Sequence, residues 1–229
     1  MGNCTGLPSV QIAQHSPKTH GPDQPAGYPR NYVHLDPDRP EWDEARWNAA
    51  IREGRTFGTN GPLITVFTAN GGRMGDLVAA PGGGVVVELG VAAAPWVPVE
   101  EVRLLASGEV VRRYGAADLA ADAVVRLRSR VELVLEEDAF ITLEAGVPLD
   151  VDLQSWAVAR GGVYATTIAP GFVPTAFTNP VFIDVDGNGR FDAPGLPSPP
   201  RDFLAPRTGL FVGAAGLLLA VWWLRRRRA

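Results

Sequence analysis

Residues 41–67 read EWDEARWNAAIREGRTFGTNGPLITVF, a stretch that changes its hydrophobic period midway and so decides the fold. Trp42, Ala45, Ala49 and Ile51, with Trp47 nearby, alternate with Glu41, Asp43, Glu44, Arg46, Arg52 and Glu53. That is a helical stripe with a charged back. Pro40 stands just before it, acids fill its first turn, Arg52 lies in its last, and Gly54 follows as a left-handed cap. Thr59-Asn60-Gly61-Pro62 is a turn, because Asn and Gly accept a positive φ and Pro fixes its own. Leu63-Ile64-Thr65-Val66-Phe67 then has the β-branched and aromatic make-up of a strand. One helix hands over to β structure.

Working downstream, strands are expected at 63–69, 84–92, 101–106, 109–114, 123–135, 139–145 and 163–168. Ser107-Gly108 is a two-residue hairpin signal, Pro81-Gly82-Gly83-Gly84 a second turn, and residues 116–121 a single helical turn. Twenty prolines and twenty-six glycines suit strands and turns better than a helical bundle. The expected fold is mainly β, an antiparallel β-sandwich preceded by one helix, with a C-terminal transmembrane helix. The 229 residues are 46% apolar and 20% charged, a composition that folds. The net charge is −4, and the four arginines at 225–228 leave −8 on the remainder, which argues against a nucleic-acid surface. Cys4 is the only cysteine, so neither an intramolecular disulfide nor a thiolate cluster can form.

Working upstream, residues 1–40 are polar, rich in Gly and Pro, and read as an irregular lead-in. They hold all three histidines, His15, His20 and His34. His15 and His20 with Asp23 are the residues a metal centre there would use. No regular element converges them, and a solvated loop is the plainer expectation. No basic start precedes an apolar run, so no signal peptide is expected.

The run Ala50 to Pro62, of the form A-x-R-x-G-R-T-F-x-T-N-G-P, resembles the C-terminal part of CehA/McbA-type metallohydrolases, exported members of the PHP phosphoesterase superfamily. Three further blocks fit in the same order: Gly27-Tyr28-Pro29-Arg30-Asn31-Tyr32-Val33, Ala94-Pro95-Trp96-Val97-Pro98-Val99, and Phe177-Thr178-Asn179-Pro180 through Asp184-Val185-Asp186-Gly187-Asn188-Gly189. Together they cover roughly residues 27 to 195, the downstream part of the family. The resemblance implies relatives that hydrolyse phosphoester-like or carbamate-type esters with divalent metals held by His and Asp in an upstream barrel. Their Gly-Asn-Ser-Asp-x-His motif precedes the Gly-x-Pro-Arg block. Here Gly2-Asn3 is followed by Cys4-Thr5-Gly6-Leu7, which supply neither the Asp nor the His. The barrel is not in this sequence, so the chain is expected to be non-catalytic by itself and to belong to a longer reading frame. A residual metal-dependent hydrolase using His15, His20 and Asp23 is the alternative, and a ligand-binding surface module the further one.

Residues 184–192, DVDGNGRFD, follow the start of a calcium loop. Asp184, Asp186 and Asn188 offer oxygens at positions 1, 3 and 5, Gly189 makes the turn at 6, Arg190 gives a backbone carbonyl at 7, and Asp192 an acid at 9. Position 12, where a bidentate Glu belongs, is Gly195. A structural Ca2+ is expected, against the plainer reading of a polar Asp-Gly turn. Glu136-Glu137-Asp138 is expected to be only a solvated turn. Trp96, between Pro95 and Pro98, is either a ligand-stacking platform or, the preferred reading, packed at an edge.

A Pro-rich spacer at 196–208 leads to GLFVGAAGLLLAVWWL at 209–224, sixteen residues without a charge, then four arginines. Sixteen helical residues span about 24 Å against a hydrocarbon core of about 30 Å, and snorkelling arginines with Trp222-Trp223 make up part of the difference. A buried core helix is disfavoured, because a terminal helix ending in four arginines offers no soluble face. The expected organisation is a lead-in at 1–40, a helix and turn at 41–62, a β-sandwich with its Asp-rich loop at 63–195, the spacer, and an anchor at 209–229. The expected setting is a bacterial cell membrane crossed once, with the C-terminus cytoplasmic and the bulk outside. The lipid bilayer is the implied partner, and an upstream catalytic barrel a further one.

Overall fold

The computed structural model describes residues 29–35, 43–121 and 123–195. The helix α1 (Glu44–Arg52) opens where Asp43 takes the N–H groups of Ala45 and Arg46 on its side chain. It closes through Gly54, at φ +76°, with Gly54 N–H donating to Ile51 and Arg55 N–H to Ala50. Of its side chains only Ala50 is buried, and Ala45, expected on the inner stripe, is exposed.

Eleven strands follow from Arg30 onward among the described residues: β1 (Arg30–Val33), β2 (Thr56–Thr59), β3 (Leu63–Ala69), β4 (Leu77–Ala79), β5 (Gly84–Ala92), β6 (Glu101–Ala106), β7 (Glu109–Tyr114), β8 (Val125–Val134), β9 (Ala139–Gly146), β10 (Thr175–Thr178) and β11 (Val181–Asp184). The smaller sheet has the order β3-β5-β8, antiparallel throughout. The larger runs β1-β2-β10-β9-β11-β4, with the β6–β7 hairpin on the free side of β9. β10 and β11 are one chain segment kinked at Asn179-Pro180, so β9 meets β10 along residues 144–146 and β11 along 139–141. Only the β11–β4 pair is parallel.

Both sheets feed one apolar core. Val85, Val87, Leu89 and Val91 of β5 share it with Val102 and Leu104 of β6, Ile141 and Leu143 of β9, and Val181 and Ile183 of β11. Alternation along each strand sends these inward and their neighbours outward, the period-2 pattern that sets register. Ser107 and Gly108 both take positive φ, +49° and +88°, as the two-residue hairpin requires. Gly83, at φ +77°, lies where a Cβ would overlap the Leu135 carbonyl.

The sequence expectation fails in four respects. Residues 30–33, assigned to an irregular lead-in, form β1, because Arg30 through Val33 pair with Thr59 through Thr56. The short strands β2, β4 and β10 were likewise not expected; each is three or four residues long and owes its conformation to its neighbours rather than to a pattern of its own. Residues 163–168, expected as a strand from their β-branched make-up, are helical: α2 (Leu153–Trp156) runs into π-helical turns at Ala157–Gly161 and Tyr164–Ile168. Trp156, Tyr164 and Ala165 face inward and build a second apolar cluster with Ala93, Val97 and Val147, and Gly161, between Trp156 and Tyr164 in sequence, is buried as well. Burial of a Trp and a Tyr outweighs the local β preference. Residues 116–121 make a hydrogen-bonded turn, closed by Asp118 and Gly115, instead of a helical one.

The strands give this unit two distinct ends. β9 alone, eight residues, separates them by about 26 Å. At one end lie α1, the Pro81–Gly83 turn, Asp138 and the loop after Asp184. At the other lie Arg30, the Asn60 turn, the 93–100 loop and the helical segment. At this second end the Asn60 side chain donates to Val173 O and accepts from Thr175 N–H, while its carbonyl accepts from the Tyr164 hydroxyl. Asn179, toward the first, donates to Gly54 O and to Thr56 Oγ1. Two of the sequence motifs are thus clasps between distant segments.

Among the described residues no helix is long and apolar enough to cross a membrane. Residues 196–208 and 209–229 lie outside the described residues, as do Glu41, Trp42, His15, His20 and Asp23.

Candidate metal centre

β11 carries Asp184 to its last position, where the residue is 2% exposed, and the chain then turns sharply through Gly187 and Gly189, both at positive φ. That turn brings three backbone amides round onto one carboxylate. Gly187 N–H and Asn188 N–H donate to Asp184 Oδ1 at 2.7 and 3.1 Å, and Gly189 N–H to Oδ2 at 2.8 Å. Burial opposes ionisation of Asp184. The amides of Gly189, Gly187 and Asn188, with a hydrogen bond involving Asp186, outweigh it and hold the carboxyl below its ordinary value of 3.8. The group is a fixed anion at neutral pH.

Asp186 accepts from Asn188 N–H at 2.9 Å, and Asn188 Nδ2 donates to Asp186 and to Asp192 at 3.0 and 2.7 Å. Asn188 Oδ1 is in turn taken by Arg190 N–H at 2.8 Å. The Arg190 guanidinium stands 3.8 Å from Asp192 Oδ1. Phe191 folds back over the sheet, 5.0 Å from the Phe182 ring and 6.4 Å from Phe140, which pins the loop to two adjacent strands.

Asp138 completes the arrangement, and it does so from outside the loop. It is 6% exposed, at the foot of β9, and accepts Val185 N–H at 2.8 Å and Asp192 N–H at 2.9 Å. Ligand oxygens of Asp138, Asp184 and Asp186 lie within 4.8 Å of one another. Three carboxylates at that spacing, two of them buried, are an acidic triad able to hold a metal ion.

The expected solvated turn at Glu136-Glu137-Asp138 is therefore corrected for its third member. Two backbone amides from the Asp184 loop need an acceptor there, and Asp138 provides it. Sequence reasoning missed Asp138 because the β9–β11 pairing, not local spacing, brings it to the loop. Three consecutive acids before an apolar strand were the only visible hint. Of the predicted loop residues, Asp184 and Asp186 join the triad. Asn188, Arg190 and Asp192 are tied into the loop's own hydrogen bonds.

The preferred reading of Trp96 is also corrected: it is 54% exposed, while its neighbour Val97 is buried. The buried Arg126 guanidinium donates to the carbonyls of Ala94, Pro95, Val97 and Ala120. It fixes the backbone on both sides of Trp96 and so presents the indole to solvent.

The chain matches no family model, no curated protein and no solved structure.

Proposed function

We propose that this chain is a membrane-anchored, extracytoplasmic β-sandwich module, the downstream part of a CehA/McbA-type metallohydrolase, and that its Asp184 loop takes Ca2+ as a structural ion. The observation that carries the metal reading is the arrival of Asp138 beside Asp184 and Asp186. A calcium loop needs a carboxylate opposite its first position, and Gly195 at position 12 has none. Asp138 supplies that carboxylate from the neighbouring strand. Hard oxygens from carboxylates and carbonyls favour calcium or magnesium over thiolate- and imidazole-loving metals, and an irregular, partly exposed loop suits calcium's tolerance of uneven geometry.

A cation at this point ties the last strand to the β8–β9 turn. In this reading it sets the conformation of the segment leading from the sheet to the spacer and the apolar run at 209–224. Chemistry on a substrate belongs to the upstream barrel that the resemblance implies. The sandwich is the support, and the apolar run with its four arginines the tether. Isothermal titration of the metal-stripped chain with calcium tests the metal reading: one site per chain is expected, with binding abolished in Asp184→Ala. Absence of heat in the wild type, together with no calcium response of its unfolding, overturns it. The reading of the hydrolase tail is tested upstream of Met1, where coding DNA for His-x-His and Asp-x-His motifs in a barrel is expected.

A further inference from the structure

The smaller sheet ends in β8, whose one strand partner among the described residues is β5. Hydrogen-bond phase shows which backbone groups face the open side. Leu135 N–H donates to Gly83 O at 2.9 Å, and the register then runs unbroken from Gly84 opposite Val134 to Val91 opposite Leu127. Antiparallel pairs alternate between bonded and non-bonded, so Ser129, Val131 and Leu133 direct their N–H and C=O groups to β5. Asn70 fixes the same phase from the far side of β5. Its N–H donates to Val86 O and its side chain accepts from Val86 N–H, and Val86 is the residue opposite Glu132. Arg128, Arg130, Glu132 and Val134 therefore turn their backbone groups to the open edge. The crossover from β7 caps that edge at its start, where Ala120 N–H takes the Arg126 carbonyl.

The side chains say what fits the rest of it. Arg128, Arg130, Glu132 and Val134 share the outer face and are exposed, Val134 by 82%. Among the described residues, none of the three charged ones belongs to a salt bridge. On the inner face, Val131 and Leu133 pack against the core yet are only partly buried. An open edge with unfinished apolar contacts is a template for another strand.

We propose that the strand is β8 of a second copy of this chain, antiparallel, with a two-fold axis at Val131. Backbone phase requires that Arg128, Arg130, Glu132 and Val134 lie opposite one another across the axis, and charge selects the register. With the axis at Val131, each Arg130 faces the partner's Glu132, and Arg128 stands diagonal to the same carboxylate. Moving the axis one residue either way sets Arg130 or Glu132 against its own copy, which like charge disfavours. Each Arg130–Glu132 pair also exchanges both its backbone hydrogen bonds. Val131 meets the partner's Val131 on the inner face, and Leu133 meets Ser129. Charges on an edge strand commonly guard it against pairing; here the two signs are spaced so that a second copy matches them. The pairing uses neither the aspartates nor the tail, so it stands or falls apart from the proposed function.

The test is sedimentation equilibrium of the full chain in detergent micelles. A dimer is expected, with Kd raised about tenfold or more by Arg130→Glu or by Glu132→Arg, since either places like charges together twice per dimer. The double variant restores the wild-type Kd, which association through the apolar tail would not do. Both positions are exposed, so folding tolerates the changes. A second measurement fixes the register. In a Cys4→Ser background, which removes the only cysteine, Val131→Cys should oxidise to a disulfide-linked dimer. Non-bonded antiparallel pairs bring Cα atoms to about 4.5 Å, within a disulfide's reach. Leu133→Cys should not link, because its own copy lies about 13 Å along the strand. A monomeric wild type, a dimer indifferent to both single charge changes, or linkage at 133 in place of 131 overturns the proposal.

Discussion

The two ends of this unit are built on opposite principles. At the aspartate end, order comes from polar groups. One carboxylate gathers three amides, a second carboxylate bridges two segments, and Phe191 is laid over the sheet. At the other end, order comes from a Trp and a Tyr buried edge to face, 6.4 Å apart, with polar side chains used to hold the pieces in place. The first end carries an acidic triad able to hold a metal ion. The second responds to volume. A β framework of ordinary strands thus carries a charge-sensitive end and a packing-sensitive end, and perturbations should separate them.

The largest effect is expected from Trp156→Ala, which empties the centre of the second cluster and leaves Glu100 without its indole partner. A loss of about 4 kcal/mol in urea unfolding is expected, the same with calcium or with a chelator. A calcium-dependent loss would mean that the ends are coupled. Next comes Arg126→Met. It leaves several carbonyls near Trp96 without donors, at a cost of about 3 kcal/mol. Quenching of Trp96 fluorescence by acrylamide should change in the same variant, because the loop is released.

Acid should act at the other end. Asp184 has its carboxyl lowered in the folded state, so its ionisation stabilises the fold fully above the unfolded value of 3.8. That contribution falls away as pH drops through the lower folded value. Unfolding free energy measured from pH 6 downward should decline with a slope that Asp184→Asn reduces and Trp156→Ala leaves alone. The smallest effect is that of Trp96→Ala, within about 0.5 kcal/mol, since the indole is half in solvent. A larger loss there would contradict an exposed, pinned Trp.

The sequence spoke clearly where short-range chemistry decides the outcome. Gly54 caps α1 as read, Ser107-Gly108 turns the hairpin, and β5 spans 84–92 because valines alternate along it. Asp184 and Asp186, two members of the acidic triad, stood out from their spacing alone. What stayed hidden depends on partners far along the chain. Thr56–Thr59 becomes a strand because β1 and β10 flank it. Residues 163–168 become helical because Tyr164 finds a buried place beside Trp156. Asp138 becomes part of the site because β9 and β11 are neighbours, a pairing no local pattern announces.

The most direct test of the cation site is thermal unfolding of the wild type and of Asp138→Asn, each with a chelator and with calcium. At a hundredfold excess over Kd, binding to the folded state alone stabilises by about 2.7 kcal/mol. That corresponds to a rise in Tm of about 5–10 °C for a unit of this size. The account predicts this rise in the wild type and its loss in Asp138→Asn, which also melts below the wild type in chelator because one of the two amides that Asp138 accepts loses its acceptor. Equal calcium-induced shifts in both proteins, or none in either, would contradict it.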